Sequence, residues 1–143
     1  MFGIIFSIIA GIAMSLQGVF NTRLGDKIGN WEANVFVQGS GLIVALLILL
    51  IAGNGSFNHM KEVNKIYFIG GLLGVIIIFT VMRGIKTLGP TCSISIILIA
   101  QLTAASMIDA FGLFDSTQIK FGLPKIFGIG IMIIGVILFK WKC

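Results

Sequence analysis

Charge is what this chain has least of. Asp, Glu, Lys and Arg make up 10% of its 143 residues and apolar residues 57%, with a mean hydropathy of +1.10. A soluble domain carries about a quarter of charged residues to cover its surface, so that class is excluded. Histidine occurs once and cysteine twice, as Cys92 and Cys143, too little for a disulfide framework or a metal centre. Free thiols are expected, and Cys143, standing last, is not expected to be the cysteine of a prenylation box. No His/Cys/acid cluster has ligand spacing and no nucleophile stands with a base. Neither an enzyme nor a cofactor or metal is expected. Proline is confined to Pro90 and Pro124. No polar segment is long enough for a second, soluble domain.

Five apolar runs fill the chain instead: 2–24, 31–52, 66–85, 90–114 and 126–141. A helix crosses the hydrocarbon of a bilayer with ~20 apolar residues, and lipid offers backbone groups no partner outside helices or closed barrels. The expectation is an all-α integral membrane protein, one domain (1–143) of five transmembrane helices. The first run outlasts a signal-peptide core, has no positive segment before it and no convincing A-x-A site, so it reads as a retained helix. It ends in Asn21-Thr22-Arg23-Leu24, with Gly25 suited to the position just past a helix. Asn30 reads as the cap of the second helix, with Glu32 in its first turn against the positive end of the dipole. Gly53-Asn54-Gly55 terminates that helix, and the two prolines stand where the fourth and fifth begin. The 53–64 connection, with His59, Lys61 and Glu62, is the most polar stretch. A lone loop histidine is not read as a metal site.

Loops alternate sides, so the cations sort into two groups. Lys61, Lys65, Lys120 and Lys125 fall on the side of the N-terminus, and Arg23, Lys27, Arg83, Lys86, Lys140 and Lys142 on the other. Four against six is a weak bias for the positive-inside rule. An odd number of spans with nearly balanced charge predicts a chain that inserts both ways up. Two copies, one inverted, would rebuild the inverted repeat that many transporters carry in one polypeptide. The net charge of +5 sits singly or in pairs at span ends, where it meets lipid headgroups. The expected partners are the lipid bilayer, a small-molecule substrate and a second, antiparallel copy, and not nucleic acid.

Positions spaced alternately by four and three share a helical face. On the first helix Gly3, Ser7, Ala10, Met14, Gln17 and Asn21 form such a face, opposite the aliphatic Ile5, Ile9, Ile12, Leu16 and Val19. One reading is close helix packing with the amides bonded to a neighbour. The other is a substrate cavity in which Gln17 and Asn21 give polar contacts and Met14 adaptable apolar surface. Buried amides are costly in lipid unless something uses or satisfies them, which favours the cavity. Gln38 and Gln101 join the substrate-binding candidates by depth. Gly70 and Gly74 have the small-xxx-small spacing of helix packing, while Gly128 and Gly135 share a face that can form a seam within or between subunits. Asp109 lies about five residues before the end of its run. It is either an end-of-span acid, solvated or paired with an arginine, or a proton or cation coupling group. Because the adjacent Ala110 offers no polar group, any partner must come from another helix. Glu32 is the second coupling candidate, read first as a dipole-stabilising residue, and Arg23 and Arg83 read as interfacial anchors.

These residues resemble the YdcZ-like branch of the drug/metabolite transporter (DMT) superfamily. The pattern runs from Gly11, Gln17-Gly18 and Asn21 through Leu24 to Gly70-Gly71, Gly74 and Leu88-Gly89. It continues with Gln101-Leu102, Asp109 and Phe111-Gly112, and closes with Gly128 and Gly135-Val136. It covers nearly the whole chain, and the fourth-helix motif is its most specific part. The resemblance implies a five-helix unit equal to half of a ten-helix transporter, paired or dual-topology assembly, and a multi-pass place in the bacterial inner membrane. It also implies distant kinship with the small multidrug resistance proteins, whose last helix has a similar Gly-x6-Gly seam. Those exporters rely on a glutamate midway along their first helix, where this chain has Gln17, Asn21 and no acid. Their exchange scheme therefore does not carry over. Coupling moves to Asp109 or Glu32, or transport is uncoupled, or the substrate is not a cation.

The leading expectation is a small-molecule transporter, a drug or metabolite exporter, working by alternating access as a dual-topology antiparallel homodimer. The rival is a non-transporting membrane subunit that assembles with a partner transporter and regulates or stabilises it. The amide-bearing face of the first helix favours transport, because a scaffold gains nothing from an open cavity.

Overall fold

A computed structural model describes residues 2–119 and 122–140, and there the chain is helical with short connections. Lys120, Lys142, Cys143 and the expected end of the last span at Trp141 lie outside the described residues, as does the side chain of Lys140. The elements are α1 (Phe2–Ile28), α2 (Asn30–Ala52), 3-10 turns over Phe57–Glu62 and Lys65–Ile69, α3 (Gly70–Leu88), α4 (Pro90–Phe111), a 3-10 turn over Leu113–Asp115, and α5 (Leu123–Lys140). Among the described residues, four stretches are long and apolar enough to cross a membrane: Phe2–Ile28, Asn30–Ala52, Lys65–Leu88 and Pro90–Phe111. Leu123–Phe139 is apolar but shorter. At 1.5 Å per residue its 17 residues reach about 26 Å, a little less than the ~30 Å hydrocarbon layer. The five expected spans are thus four spans and a shorter apolar helix.

Helix ends depart from the sequence reading where a glycine does something other than stop a helix. Gly25 does not end α1: it is helical and buried, and a Cβ there would lie 2.8 Å from Asn30 Oδ1 and 3.4 Å from Met82 Sδ. The break comes at Gly29, whose φ of 103° and ψ of 151° suit glycine almost alone. Gly29 also takes the N-cap of α2, so Asn30 is the first helical residue and caps nothing. Glu32 is in the first turn, as expected. Gly53 closes α2, its N–H donating to Leu49 O at 2.9 Å. Pro90 starts α4 behind Gly89, another positive-φ glycine (78°). α4 stops at Phe111, three residues before the expected end, because Gly112 turns left-handed (φ 60°) and its N–H bonds back to Asp109 O and Ile108 O.

The chain divides into two compact units, Met1–Lys86 and Thr87–Cys143. Burial is scarce, since lipid tails are as apolar as the side chains they touch and give helices no hydrophobic reason to associate. Close packing and hydrogen bonds hold the first unit instead. Its buried residues include Ala33, Asn34, Met82 and Ile85, with Gly18, Asn21, Thr22 and Gly25 from α1. Gly18 lets α3 come close: a Cβ there would lie 2.8 Å from Ile85 Cδ1 and 3.2 Å from Val81 Cγ1. Outward the unit presents Ile, Leu and Phe side chains, with Leu50 82% and Ile51 86% exposed, a surface suited to lipid.

In the second unit α4 packs against α5 and against the turn over Leu113–Asp115. Ser116 Oγ donates to Leu113 O (2.7 Å), Gln118 Nε2 to Ala110 O (3.0 Å) and the Ile119 N–H to Asp109 O (2.9 Å). The last two satisfy carbonyls that the end of α4 leaves open. Cys92 is a buried free thiol.

Candidate functional site

Three contacts align α2 with α3. Trp31 stacks on Phe79 with ring centroids 4.4 Å apart and planes 16° from parallel. Asn34 Nδ2 donates to Val75 O at 2.8 Å, and Gln38 Nε2 lies 3.0 Å from where Gly74 would carry a Cβ. The numbers rise along α2 as they fall along α3, so the two helices run antiparallel. Trp31, Asn34 and Gln38 are spaced by three and four and therefore share a face. Gly74 meets a neighbour in this way, but a Cβ at Gly70 would enter open space. The small-xxx-small pair is half used inside the protomer.

Sequence reasoning passed over Asn34, which is 2% exposed and the buried hydrogen-bond donor between these helices. The signal was present: an amide four residues before Gln38 in an otherwise apolar run.

Helix α1 meets its neighbours through a different stripe from the one its composition suggested. At about 100° per residue, the buried Gly18, Asn21, Thr22 and Gly25 centre roughly a quarter turn from Gln17. Asn21 lies at the edge of this stripe and is buried, whereas Met14 and Gln17 are exposed. The hydroxyls on α1 are satisfied by carbonyls one turn back: Ser7 to Gly3 (2.9 Å), Ser15 to Gly11 (3.0 Å) and Thr22 to Gly18 (2.7 Å). Gln17 has no hydrogen bond among the described residues.

At the end where α1 and α3 finish, Lys86 Nζ donates to Asp26 Oδ1 at 2.6 Å. Arg23, Lys27 and Arg83 stand exposed at the same end. The side sorting of these four cations therefore agrees with the way α1 and α3 lie. A shallow apolar depression of about 490 Å³ lies nearby, lined by Ile28, Trp31, Glu32, Val35 and Phe36. Glu32 is exposed and curls back so that one carboxylate oxygen occupies the space a Cβ on Gly29 would need.

In the second unit Asp109 is in the last turn of α4, two residues from its end, because Gly112 stops the helix early. An acid there stands nearer the membrane boundary than the apolar run implied. Its carboxylate pairs with Lys125 Nζ at 3.4 Å, both side chains about a third exposed (39% and 33%). The partner comes from another helix, as the apolar neighbour Ala110 required, though it is a lysine and not an arginine. Gln101 is exposed and has no hydrogen bond among the described residues. A Cβ at Gly128 or Gly135 would meet nothing within 4 Å, so that face has no covering among the described residues.

Three of the five substrate-binding candidates stand near the middle of their own helices. Gln17 is two residues past the centre of the 27-residue α1, about 3 Å, and Gln38 three residues before the centre of the 23-residue α2, about 4.5 Å. Both offsets point to the side where Gly29 joins the helices. Gln101 is within about 1 Å of the centre of the 22-residue α4.

Residues 2–138 match the model of a protein family described as "Putative inner membrane exporter, YdcZ". No curated protein and no solved structure matches the chain.

Proposed function

We propose, since the chain belongs to the YdcZ family of inner-membrane exporters, that it moves a small molecule across that membrane by alternating access, as a dual-topology antiparallel homodimer. It is a multi-pass inner-membrane protein, and an exporter family is not an enzyme class. The observation that carries the reading is the set of amides near mid-helix, Gln17, Gln38 and Gln101, none of which has a hydrogen bond among the described residues. An amide without a partner in hydrocarbon costs about 4–8 kcal/mol relative to water. Such groups are retained where water, substrate or a second subunit meets them. Met14 adds a flexible, polarizable side chain beside Gln17. Asn21 completes the set from the packed edge of the same helix. Midplane binding at the interface of inverted repeats is the general arrangement for transporters of this architecture.

The test is solute flux into liposomes that contain this protein alone. Wild type should accumulate at least one labelled solute against an empty-liposome control. Gln17→Leu should weaken that solute's affinity about tenfold, the equivalent of one hydrogen bond of about 1.4 kcal/mol, with the dimer intact. Flux that appears only when a second membrane protein is added would instead identify a regulatory subunit.

Coupling is assigned first to Asp109, held by Lys125, and second to Glu32. Asp109→Asn keeps the shape and removes the titratable group. It should leave solute binding within a few-fold of wild type and remove any pH dependence of flux. A profile unchanged in Asp109→Asn and lost in Glu32→Gln would move coupling to the second helix.

A further inference from the structure

Gln101 occupies an unusual position. It is the twelfth of the 22 residues of α4, a helix about 33 Å long that matches the thickness of the hydrocarbon layer. Its amide is exposed and by this measure falls at the centre of the bilayer, far from the lipid headgroups. Leu98, Ala104 and Ala105, which flank it on the same face, are exposed as well. The two alanines leave room for a close approach of backbones.

We propose that a second, inverted copy of this chain docks on this face of α4, with the two Gln101 side chains hydrogen-bonded to each other on the two-fold axis. The proposal rests on the antiparallel pairing of the preceding section and adds where the two copies touch. The argument for this occupant is symmetry. A two-fold axis in the membrane plane sets each residue opposite one at equal depth beyond the midplane, so only a midplane residue meets its own copy. An isologous contact also has to be self-complementary. A primary amide is: Nε2 of one copy donates to Oε1 of the other, and the reverse. Two carboxylates or two ammonium groups at the same point would repel. The pair satisfies both amides and forms one border of the proposed cavity.

Disulfide mapping tests this in the full-length protein with its two native cysteines replaced. Gln101→Cys should cross-link to its own copy in native membranes under mild oxidation. Leu98→Cys and Ala104→Cys are three residues either side of it, about 4.5 Å along the helix, so each lies about 9 Å along the axis from its own copy. That exceeds the 4.4–6.8 Å between Cα atoms that a disulfide spans. Neither should cross-link alone, but the two co-expressed should cross-link to each other. As a non-covalent check, Gln101→Leu should lower the dimer fraction in detergent at least several-fold, and Gln101→Asn should restore part of it.

Self-cross-linking of comparable strength at 98, 101 and 104 would mean a parallel pair, and would overturn both this contact and the antiparallel reading. No cross-link at any of the three, with a C-terminal reporter still found on both sides of the membrane, would overturn the α4 contact and leave the antiparallel reading standing.

Discussion

Gly29→Ala is expected to destabilise this chain strongly for the addition of a single methyl. The backbone at 29 sits at φ 103° and ψ 151°, a region that costs an L-residue about 1–3 kcal/mol. The new Cβ would also overlap the Glu32 carboxylate, which would have to leave the start of α2. Detergent-solubilised Gly29→Ala should melt well below wild type, and its yield in membranes should fall. Adding Glu32→Ala should recover the part due to the overlap and leave the part due to the backbone. Gly3→Ala is the control: a Cβ there meets nothing within 4 Å, and exchanging glycine for alanine in a helix is neutral or stabilising by up to about 1 kcal/mol. If Gly29→Ala melted with wild type, the one-residue joint between α1 and α2 would be wrong.

The second large effect is on orientation. A compartment-sensitive reporter on the C-terminus should be found on both sides of the membrane in comparable amounts. Among the cations whose side chains are described, Lys61, Lys65 and Lys125 stand against Arg23, Lys27, Arg83 and Lys86, nearly as even as the count over the whole chain. The Asp26–Lys86 pair does not remove Lys86 from that balance, because the rule counts Lys and Arg and is almost blind to acids. Two or three lysines added in the 53–64 connection should drive nearly all molecules into one orientation. Flux should then fall in proportion to the lost minor orientation, and co-expression of a variant biased the other way should restore it. More than about nine-tenths of wild-type molecules in one orientation would end the homodimer proposal and point to a separate, oppositely inserted partner.

The apolar lengths, the glycine and proline punctuation at Gly53 and Pro90, and the first-turn place of Glu32 were legible in the sequence, because each follows from local chemistry. Three things were not. Gly25 carries no sign that it is buried against Asn30 and Met82 while the turn waits for Gly29, since a glycine in a helix and one at φ 103° read alike. The spacing of Gly70, Gly74, Gly128 and Gly135 says that a face is smooth but not what covers it, and only Gly74 meets a neighbour. The packed stripe of α1 lies about 50° around the helix from the face that composition picked out, because small residues occur on both and the contacts of Gly18 with Val81 and Ile85 decide between them. The partner of Asp109 was foreseeable as a residue of another helix. That it is Lys125 depends on where Gly112 ends α4.

The one-residue connection at Gly29 has a mechanical consequence. A joint of a single residue offers two soft torsions, so the helices on either side of it turn about a nearly fixed point. The connection at the other end of α2, over residues 53–69, contains many more torsions. Within the first unit, α2 is therefore held stiffly at its Gly29 end and more loosely at its Gly53 end. In the proposed antiparallel pair, inversion would set one joint of each kind at each membrane face. Opening of that proposed pair toward either side would then meet the same resistance, and its two access states would have equal energy until a gradient or a bound solute tips them.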